Sequence, residues 1–378
     1  MLLRNLLIIT LLLFGGVTAF AQEEHHDAEH DSHGEFNASE MILHHILDSH
    51  DWHITDLPGG TPIALHLPWI LISDGFHFIP STDGLFEKGF VPHEETAVAL
   101  KSGVNGTELK GMFMDDHGHP KHMSEAEWAA FEAQYVDTDK TVIDMSITKT
   151  ALQLLLIGLL VLLVFRSVAK SYQKNEGKAP KGLQSFMEPI ILFVRDEVAR
   201  PWLHDKANAF LPYLLTLFFF IWFSNLFGLT PLNSNIMGNI SVTASLAILT
   251  MILINFNGST DYWKHIFVAP GIPALLKPLM FVVEFIGVIS KPFALAVRLF
   301  ANISAGHFMV LGLVSLIFIM GDAGANAAGG FGISPLSFLF TVVIFALEMI
   351  VAIVQAFIFT LLTAVFIGMA MESHDDHH

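Results

Sequence analysis

Three charged side chains share one face of an otherwise apolar stretch. Glu284, Lys291 and Arg298 are spaced seven residues apart. At about 100° per residue, each step of seven returns to within about 20° of the same helix face. Most of the residues between them are Leu, Ile, Val, Phe or Ala, which suit lipid or a packed interior. Because an arginine at the centre of a membrane helix costs about 2.5–3.5 kcal/mol, the pattern predicts an ion or proton pathway.

The composition favours a membrane protein. Of the 378 residues, 53% are hydrophobic and 15% are charged, whereas soluble domains average about 25% charged. The net charge is −17, and 24 of the 36 acidic residues lie between Glu23 and Asp144. This acidic balance argues against nucleic-acid binding. The absence of cysteine excludes disulfides and thiolate chemistry.

Residues 1–21 are predicted to be a secretory signal peptide. Arg4 supplies a positive n-region, residues 6–14 form an apolar h-region, and residues 19–21 (Ala-Phe-Ala) fit a cleavage site. A first transmembrane helix is the alternative, but the apolar run is short. The following region, 22–145, is therefore predicted to be exported.

The exported region is acidic and rich in histidine, with 14 of the 20 histidines between His25 and His122. Residues 23–40 have few bulky apolar side chains, which predicts a largely disordered arm. Histidine-rich tracts can bind divalent metals. No ligand spacing repeats here, so a solvated acidic arm is favoured and no metal site is predicted.

The rest of the exported region predicts a small α+β element. Residues 63–72 and 76–79 resemble short strands between Gly/Pro turns. The stretch Ser124–Tyr135 begins with Ser and has Glu three residues later, which predicts a capping box at the start of a short helix.

A membrane domain is predicted over residues 146–372, followed by a short tail, 373–378. Its apolar segments are 148–168, 209–230, 239–257, 272–320 and 334–371. The first three suit single crossings of a core about 30 Å thick. The last two are too long for upright helices, so they must be tilted, broken or partly re-entrant.

The basic residues predict the direction of the passes. Eight Lys and Arg side chains lie between Arg166 and Lys206, which places that loop in the cytoplasm. Loops 231–238 and 321–334 contain none. An all-α polytopic domain with five passes, an external N-terminal region and a cytoplasmic C-terminus fits this alternation. Residues 183–203 mix apolar and charged side chains and predict an interfacial helix on the cytoplasmic face.

The two long segments predict an antiparallel hairpin. Loop 321–334 is centred between residues 327 and 328, so residues whose numbers sum to about 655 face each other at equal depth. By this rule, His307 lies at the same depth as Glu348. Gln355 falls opposite position 300, between Arg298 and Asn302, which share a face. This coincidence of polar groups predicts one functional site.

The same hairpin orders its polar groups by depth. His307 and Glu348 lie toward the external loop, and Glu284 lies about 21 Å to the cytoplasmic side of Arg298. An arginine effectively never deprotonates, so it cannot pass on a proton. It can, however, draw a nearby carboxylic acid into its ionised form. This order predicts two half-channels that must not connect.

Each polar residue also has a structural interpretation. Arg298 could pair with Gln355 or Glu348, and Lys291 could snorkel near a kink at Pro292. His307 lies about 180° round the helix from Arg298 and could be a packed core residue. Asn302 could bridge helices, and Glu284 could lie at the membrane interface.

At these residues the chain resembles subunit a of the F-type ATP synthase, the membrane stator beside the rotating c-ring. The matching stretches are Phe165–Lys170, Asn239–Thr243, Ser290–Ile303 and Val354–Phe359, and the resemblance covers about 145–372. It implies that Arg298 is the essential stator arginine, with Asn302 and Gln355 as polar neighbours. It also implies steeply tilted helices that follow the c-ring.

Many bacterial members of this family carry an acid where this chain has His307 and a histidine where it has Glu348. The exchanged pair resembles the mitochondrial type and favours two neighbours acting as one unit. The exported region is longer than in better-known members.

The resemblance implies a proton-translocating subunit in the bacterial inner membrane. The c-ring, the peripheral-stalk b subunits, the other synthase subunits and the lipid bilayer are its expected partners. No phosphate-binding loop of the form G-x-x-x-x-G-K-[ST] occurs in the chain, so nucleotide chemistry is expected on other subunits, and no cofactor is expected.

A secondary transporter is the competing interpretation, with the histidine-rich arm collecting cations. Such a protein would be expected to have internal repeats with paired broken helices. No repeat relates 145–260 to 270–372. A purely structural anchor for the exported region would leave the intramembrane polar groups unexplained.

Overall fold

The computed structural model describes residues 50–56, 62–93, 96–113, 123–230, 236–268, 273, 276–321 and 326–372. The predicted signal peptide (1–21), the acidic arm (23–40) and the tail (373–378) lie outside these residues. The described chain forms two compact units, one ending at Gln153 and the other beginning at Leu154.

The first unit contains short antiparallel strands and three helices. The strands are β1 (Asp51–Asp56), β2 (Pro62–His66), β3 (Trp69–Ile72), β4 (Phe76–Ile79), β5 (Phe90–His93), β6 (Thr96–Ala99) and β7 (Ile143–Asp144). They pair as β1–β2, as a sheet of order β4-β3-β7, and as β5–β6. Strands β2, β3 and β4 occupy the stretches for which alternation predicts strands, and Leu67 and Pro68 separate the first two.

The helices of this unit are α1 (Thr82–Glu87), α2 (Gly106–Phe113) and α3 (Glu125–Tyr135). The predicted capping box is present at α3: the Ser124 hydroxyl accepts from the Glu127 backbone, and the Glu127 carboxylate accepts from the Ser124 backbone. Two small cores hold the unit together, one centred on Trp69 and Leu71 and the other on Phe86 and Phe131.

Two buried titratable groups lie in this unit. His50 stacks on the Trp69 ring at 3.5 Å between centroids, and burial lowers the pKa of this histidine to about 3. The Asp144 carboxylate accepts hydrogen bonds from the backbone of Ala97 and Ser146, but burial still raises its pKa.

The second unit is helical. Its helices are α4 (Lys149–Lys174), which begins in the first unit, α5 (Leu183–Phe193), α6 (Arg200–Leu203), α7 (Ala207–Gly228), α8 (Ile240–Phe256), α9 (Thr260–Val268), α10 (Lys277–Met320) and α11 (Ala327–Met371). A π-helical turn, Val194–Ala199, joins α5 to α6. His204, with φ 45°, opens the short turn that leads into α7.

Among the described residues, four helical runs are long and apolar enough to cross a membrane, or five if α8 and α9, bent by 105° to each other, count as one span. Leu183–Gly228 counts as one of the four. The interfacial placement of 183–203 and the total of five passes stay predictions. At 1.5 Å per residue, the 44 residues of α10 extend about 66 Å, more than twice the hydrocarbon thickness.

The core of the helical unit is built around α7. This helix is apolar on all sides, and its buried residues include Leu214, Phe218, Phe219 and Ile221. A helix that is apolar on all sides belongs in a packed core or in the apolar part of a membrane. Helices α10 and α11 each contribute one buried stripe to this core and leave their opposite faces exposed.

Candidate functional site

Helices α10 and α11 form the predicted antiparallel hairpin. Near its tip the two backbones approach closely, because a Cβ on Gly321 would lie 3.4 Å from the Gly330 Cα. The next contact along the hairpin is a hydrogen bond in which the Ser337 hydroxyl donates to the Leu313 carbonyl. These contacts fix the register from the tip inward.

Halfway along the hairpin, the Glu348 carboxylate lies directly against Gly306. A Cβ added to Gly306 would overlap that carboxylate, so a larger residue at this position would force the Glu348 side chain to move. Glu348 is buried, at 8% exposure, and His307 is half-buried at the next position of α10. The contact agrees with the predicted depth match of His307 and Glu348 to within one residue.

Arg298 lies on the exposed face of α10. It has no hydrogen-bond or ion-pair partner within the described residues, and its closest exposed neighbours on the helix are apolar or neutral. Ala294 and Ala301, one turn away on either side, are exposed as well, and the adjacent Val297 is 36% exposed. The arginine therefore stands on an apolar surface that nothing in the described chain covers.

The polar neighbours predicted for Arg298 occupy two environments. Asn302 is exposed like Arg298, whereas Gln355 is buried at 6% exposure. The contacts of Gly306 and of Lys291 with α11 bracket this region, and between them Arg298 and Gln355 lie within about one helical turn in depth. No hydrogen bond joins Arg298 to Gln355 in the described chain, so the interpretation of Arg298 as a structural partner gains no support.

Lys291 and Glu284 lie on the remaining part of the polar face. The Lys291 ammonium is 5.4 Å from the centre of the Phe366 ring, a cation–π contact with α11. Pro292 follows within the helix and cannot donate a backbone hydrogen bond. The Glu284 carboxylate lies 3.6 Å from the His265 imidazole of α9.

The structure adds polar groups that the sequence reasoning missed. The Asn225 amide on α7 donates to the Ala352 carbonyl at 3.2 Å, one turn along α11 from Glu348. The Asn225 carbonyl oxygen and the hydroxyls of Ser224 and Ser304 are buried without a partner within the described residues. Ser224 and Asn225 are adjacent polar residues inside the apolar run of α7, and this interruption of the run could have indicated a buried polar site.

The titratable groups of the hairpin lie on both sides of Arg298 along the helix axis. Glu348 and His307 lie on the loop side of Arg298, about 14 Å away by helix rise, and Glu284 lies about 21 Å away on the other side. Carboxylates and an imidazole can accept and release protons, whereas a guanidinium keeps its charge. The arrangement offers proton-binding groups on both sides of a fixed positive charge.

Comparison with known proteins relates both parts of the chain to families. Residues 151–368 match the family described as ATP synthase A chain. Residues 41–145 match a family described as a domain of unknown function, DUF8433.

Curated relatives agree with the first match. ATP synthase subunit a of Chloroherpeton thalassium is 40% identical over 240 residues, which is 62% of this chain and 69% of that protein. The Anaeromyxobacter dehalogenans subunit is 40% identical over 62% of this chain and 61% of its own length. The Chlorobium phaeobacteroides subunit is 34% identical over 83% of this chain and 94% of its own length. The chain therefore belongs to the ATP synthase A chain family.

Proposed function

We propose that this chain is the proton-translocating stator subunit in the membrane sector of an F-type ATP synthase. The observation that carries the proposal is Arg298, a permanent charge on an exposed apolar face of a membrane-length hairpin. Such a charge is expensive in lipid and marks a functional site. A partner that brings a carboxylate to this face would satisfy it.

The proposed partner on this face is the c-ring. Each ring subunit would carry one carboxyl group, neutral while it faces lipid because an unpaired charge there is costly. As the carboxyl approaches Arg298, the positive charge favours its ionised form and the proton leaves. Peripheral-stalk b subunits and the remaining synthase subunits complete the assembly, which would carry the nucleotide chemistry.

Two half-channels would lead to the face. In the synthesis direction, protons enter from outside by way of Glu348 and His307 and bind the ring carboxylate. The buried oxygens of Asn225 and Ser304 are hydrogen-bonding positions that water on this route could use. After rotation, the proton leaves toward Glu284 and the cytoplasm. Asn302 and Gln355 would position Arg298, and Lys291 would adjust the potential on the exit side.

The energy scale suits this role. Moving one charge through 100 mV is worth about 2.3 kcal/mol, so several protons are needed for each ATP. Because Arg298 cannot carry a proton, it would prevent protons from crossing without ring rotation. The inner membrane, with the N-terminal region outside and the C-terminus in the cytoplasm, is the proposed location.

The test is Arg298→Ala in inverted membrane vesicles. We expect ATP-driven proton pumping to fall to background while the complex still assembles, because the residue has no structural partner within the described chain. Arg166→Ala is the matched control, since Arg166 is also exposed but lies on α4. Normal coupled pumping in the Arg298 variant would reject the proposed function. A protein purified alone, without a ring of small subunits, would favour the transporter interpretation.

A further inference from the structure

A histidine from a different helix stands beside Glu284. The His265 Nδ1 atom lies 3.6 Å from the Glu284 Oε1 atom, and the two side chains are 55% and 33% exposed. A small rotation of either side chain brings this pair to hydrogen-bond distance, which is near 2.8 Å for charge-assisted pairs. The pair therefore combines contact between two proton-binding groups with access to solvent.

Helix α9 holds His265 in place through its first turn. The Ser259 backbone amide donates to the Ala370 carbonyl at 2.8 Å, and the Ser259 hydroxyl donates to the Glu372 carbonyl at 3.1 Å. The Tyr262 hydroxyl donates to the Asn255 side chain at 3.1 Å. These bonds join α9 to the end of α8 and to the end of α11. His265 is thus carried by a fixed element.

Packed aromatic rings connect the C-terminal half of α9 to the first turns of α10. Ring centroids are 6.0 Å apart for Trp263 and Phe267, 5.6 Å for Phe267 and Phe281, and 5.8 Å for Phe281 and Phe285. Exposed aromatic rings favour the membrane–water interface. Because α9 is bent by 105° from α8, a membrane-crossing α8 places α9 nearly parallel to the membrane surface.

Within the described residues, His265 is the basic side chain that lies within 4 Å of the Glu284 carboxylate. Lys264 is engaged by Asp261 at 3.1 Å on the same helix. The other titratable and charged groups on α9 and within two turns of Glu284 on α10 are Asp261, Tyr262, Lys264, Lys277 and Lys291, and Glu372 follows the end of α11.

We propose that His265 and Glu284 form a proton-exchanging pair at the cytoplasmic end of the hairpin, an inference that rests on the proposed function. In the synthesis direction, the O–H bond of protonated Glu284 breaks as an N–H bond forms at His265 Nδ1. The resulting imidazolium then loses a proton from Nε2 to cytoplasmic water, and a flip of the exposed ring or proton exchange with water restores a free nitrogen facing Glu284 for the next proton. In the pumping direction the same steps run in reverse. Imidazole suits this task because its charge changes between about pH 5 and 8.

The experiment measures ATP-driven proton pumping by the whole complex in proteoliposomes with the cytoplasmic face outward. We expect His265→Ala to lower the rate by about 10²-fold, at the lower end of what a positioned proton-transfer group contributes. The pH profile of pumping should differ between this variant and the wild type, because the variant lacks a proton-binding group. Lys264→Ala, a change of one charge on the same helix, should follow the wild-type pH profile.

Two further variants separate proton exchange from a structural role. His265→Asn keeps a hydrogen-bonding side chain but cannot carry a proton at neutral pH, so it should pump as slowly as His265→Ala. The double variant His265→Ala with Glu284→Gln should be no slower than Glu284→Gln alone. Wild-type pumping by His265→Asn, or defects that multiply in the double variant, would overturn the pair. Arg298→Ala run in parallel separates the outcomes: if it pumps normally, the proposed function itself fails.

Discussion

The close contact between Gly306 and Glu348 leads to a quantitative prediction about Gly306→Ala. The added Cβ would occupy the position of the Glu348 carboxylate. Atoms in ordinary contact stay about 3.5–4.0 Å apart, so the carboxylate must move by more than 1 Å. We therefore expect the variant to assemble with its proton pathway displaced at Glu348.

The size of the effect follows from two separate costs. Overpacking of this kind destabilises a fold by about 1–3 kcal/mol, which a large membrane complex tolerates. A displacement of about 1 Å at a reacting group can lower a rate by about 10²-fold. We expect ATP synthesis driven by a proton gradient to fall by that order while the subunit content of the membrane changes little.

The assay compares synthesis rates per assembled complex in inverted vesicles. Gly312→Ala is the matched control, because a Cβ at this position of α10 meets nothing within 4 Å. Glu348→Asp withdraws the carboxylate by one bond, about 1.5 Å, so Gly306→Ala combined with Glu348→Asp should be faster than Gly306→Ala alone. Equal rates for the Gly306 and Gly312 variants, or a double variant slower than both singles, would refute the reasoning.

Three further predictions concern the pathway and the exported region. Exchanging His307 and Glu348 in one chain should retain more ATP synthesis than either single change, because the two act as one unit; strictly additive defects would contradict this. His50 has a pKa lowered by burial to about 3 against 6.5, so its contribution to stability is complete above pH 6.5 and falls as the pH drops. The loss reaches about 2 kcal/mol at pH 5, measurable by hydrogen exchange of the intact complex corrected for intrinsic rates, and His50→Phe should show a shallower dependence. Ser124→Ala removes the capping box and should destabilise α3 by about 1 kcal/mol, seen as faster amide exchange over residues 125–135; unchanged exchange would show that the cap contributes nothing.

The hairpin could be predicted because its signals are carried by sequence spacing. Loop 321–334, which is rich in Gly and Ala, gave the turning point of the hairpin. The depth of each polar residue then followed from its distance along the chain from that loop and the helical rise. The predicted sum of 655 differs by one from the sum of Gly306 and Glu348, which lie in contact, but by four and five from the sums of the two contacts nearer the tip. The capping box at Ser124 was equally local, since two residues three apart are enough to form it.

Other features depend on contacts that no spacing encodes. His265 lies 19 positions before Glu284 and meets it only because α9 bends back against α10. The close contact at Gly306 is made by a side chain of the opposite helix, so nothing in α10 alone indicates it. Asn225 was visible as a polar residue in an apolar run, but its partner, Ala352, is 127 positions away.

The two ends of the hairpin are fastened in different ways, which has a mechanical consequence. At the tip, the backbones of Gly321 and Gly330 meet with no side chain between them. At the opposite end, Ser259 bonds the last turn of α11 to α9. Two helices joined at both ends bend less under a sideways load than two helices joined at a single end. The exposed face that carries Arg298 lies between the two joined ends, so α10 and α11 would resist a load applied there together.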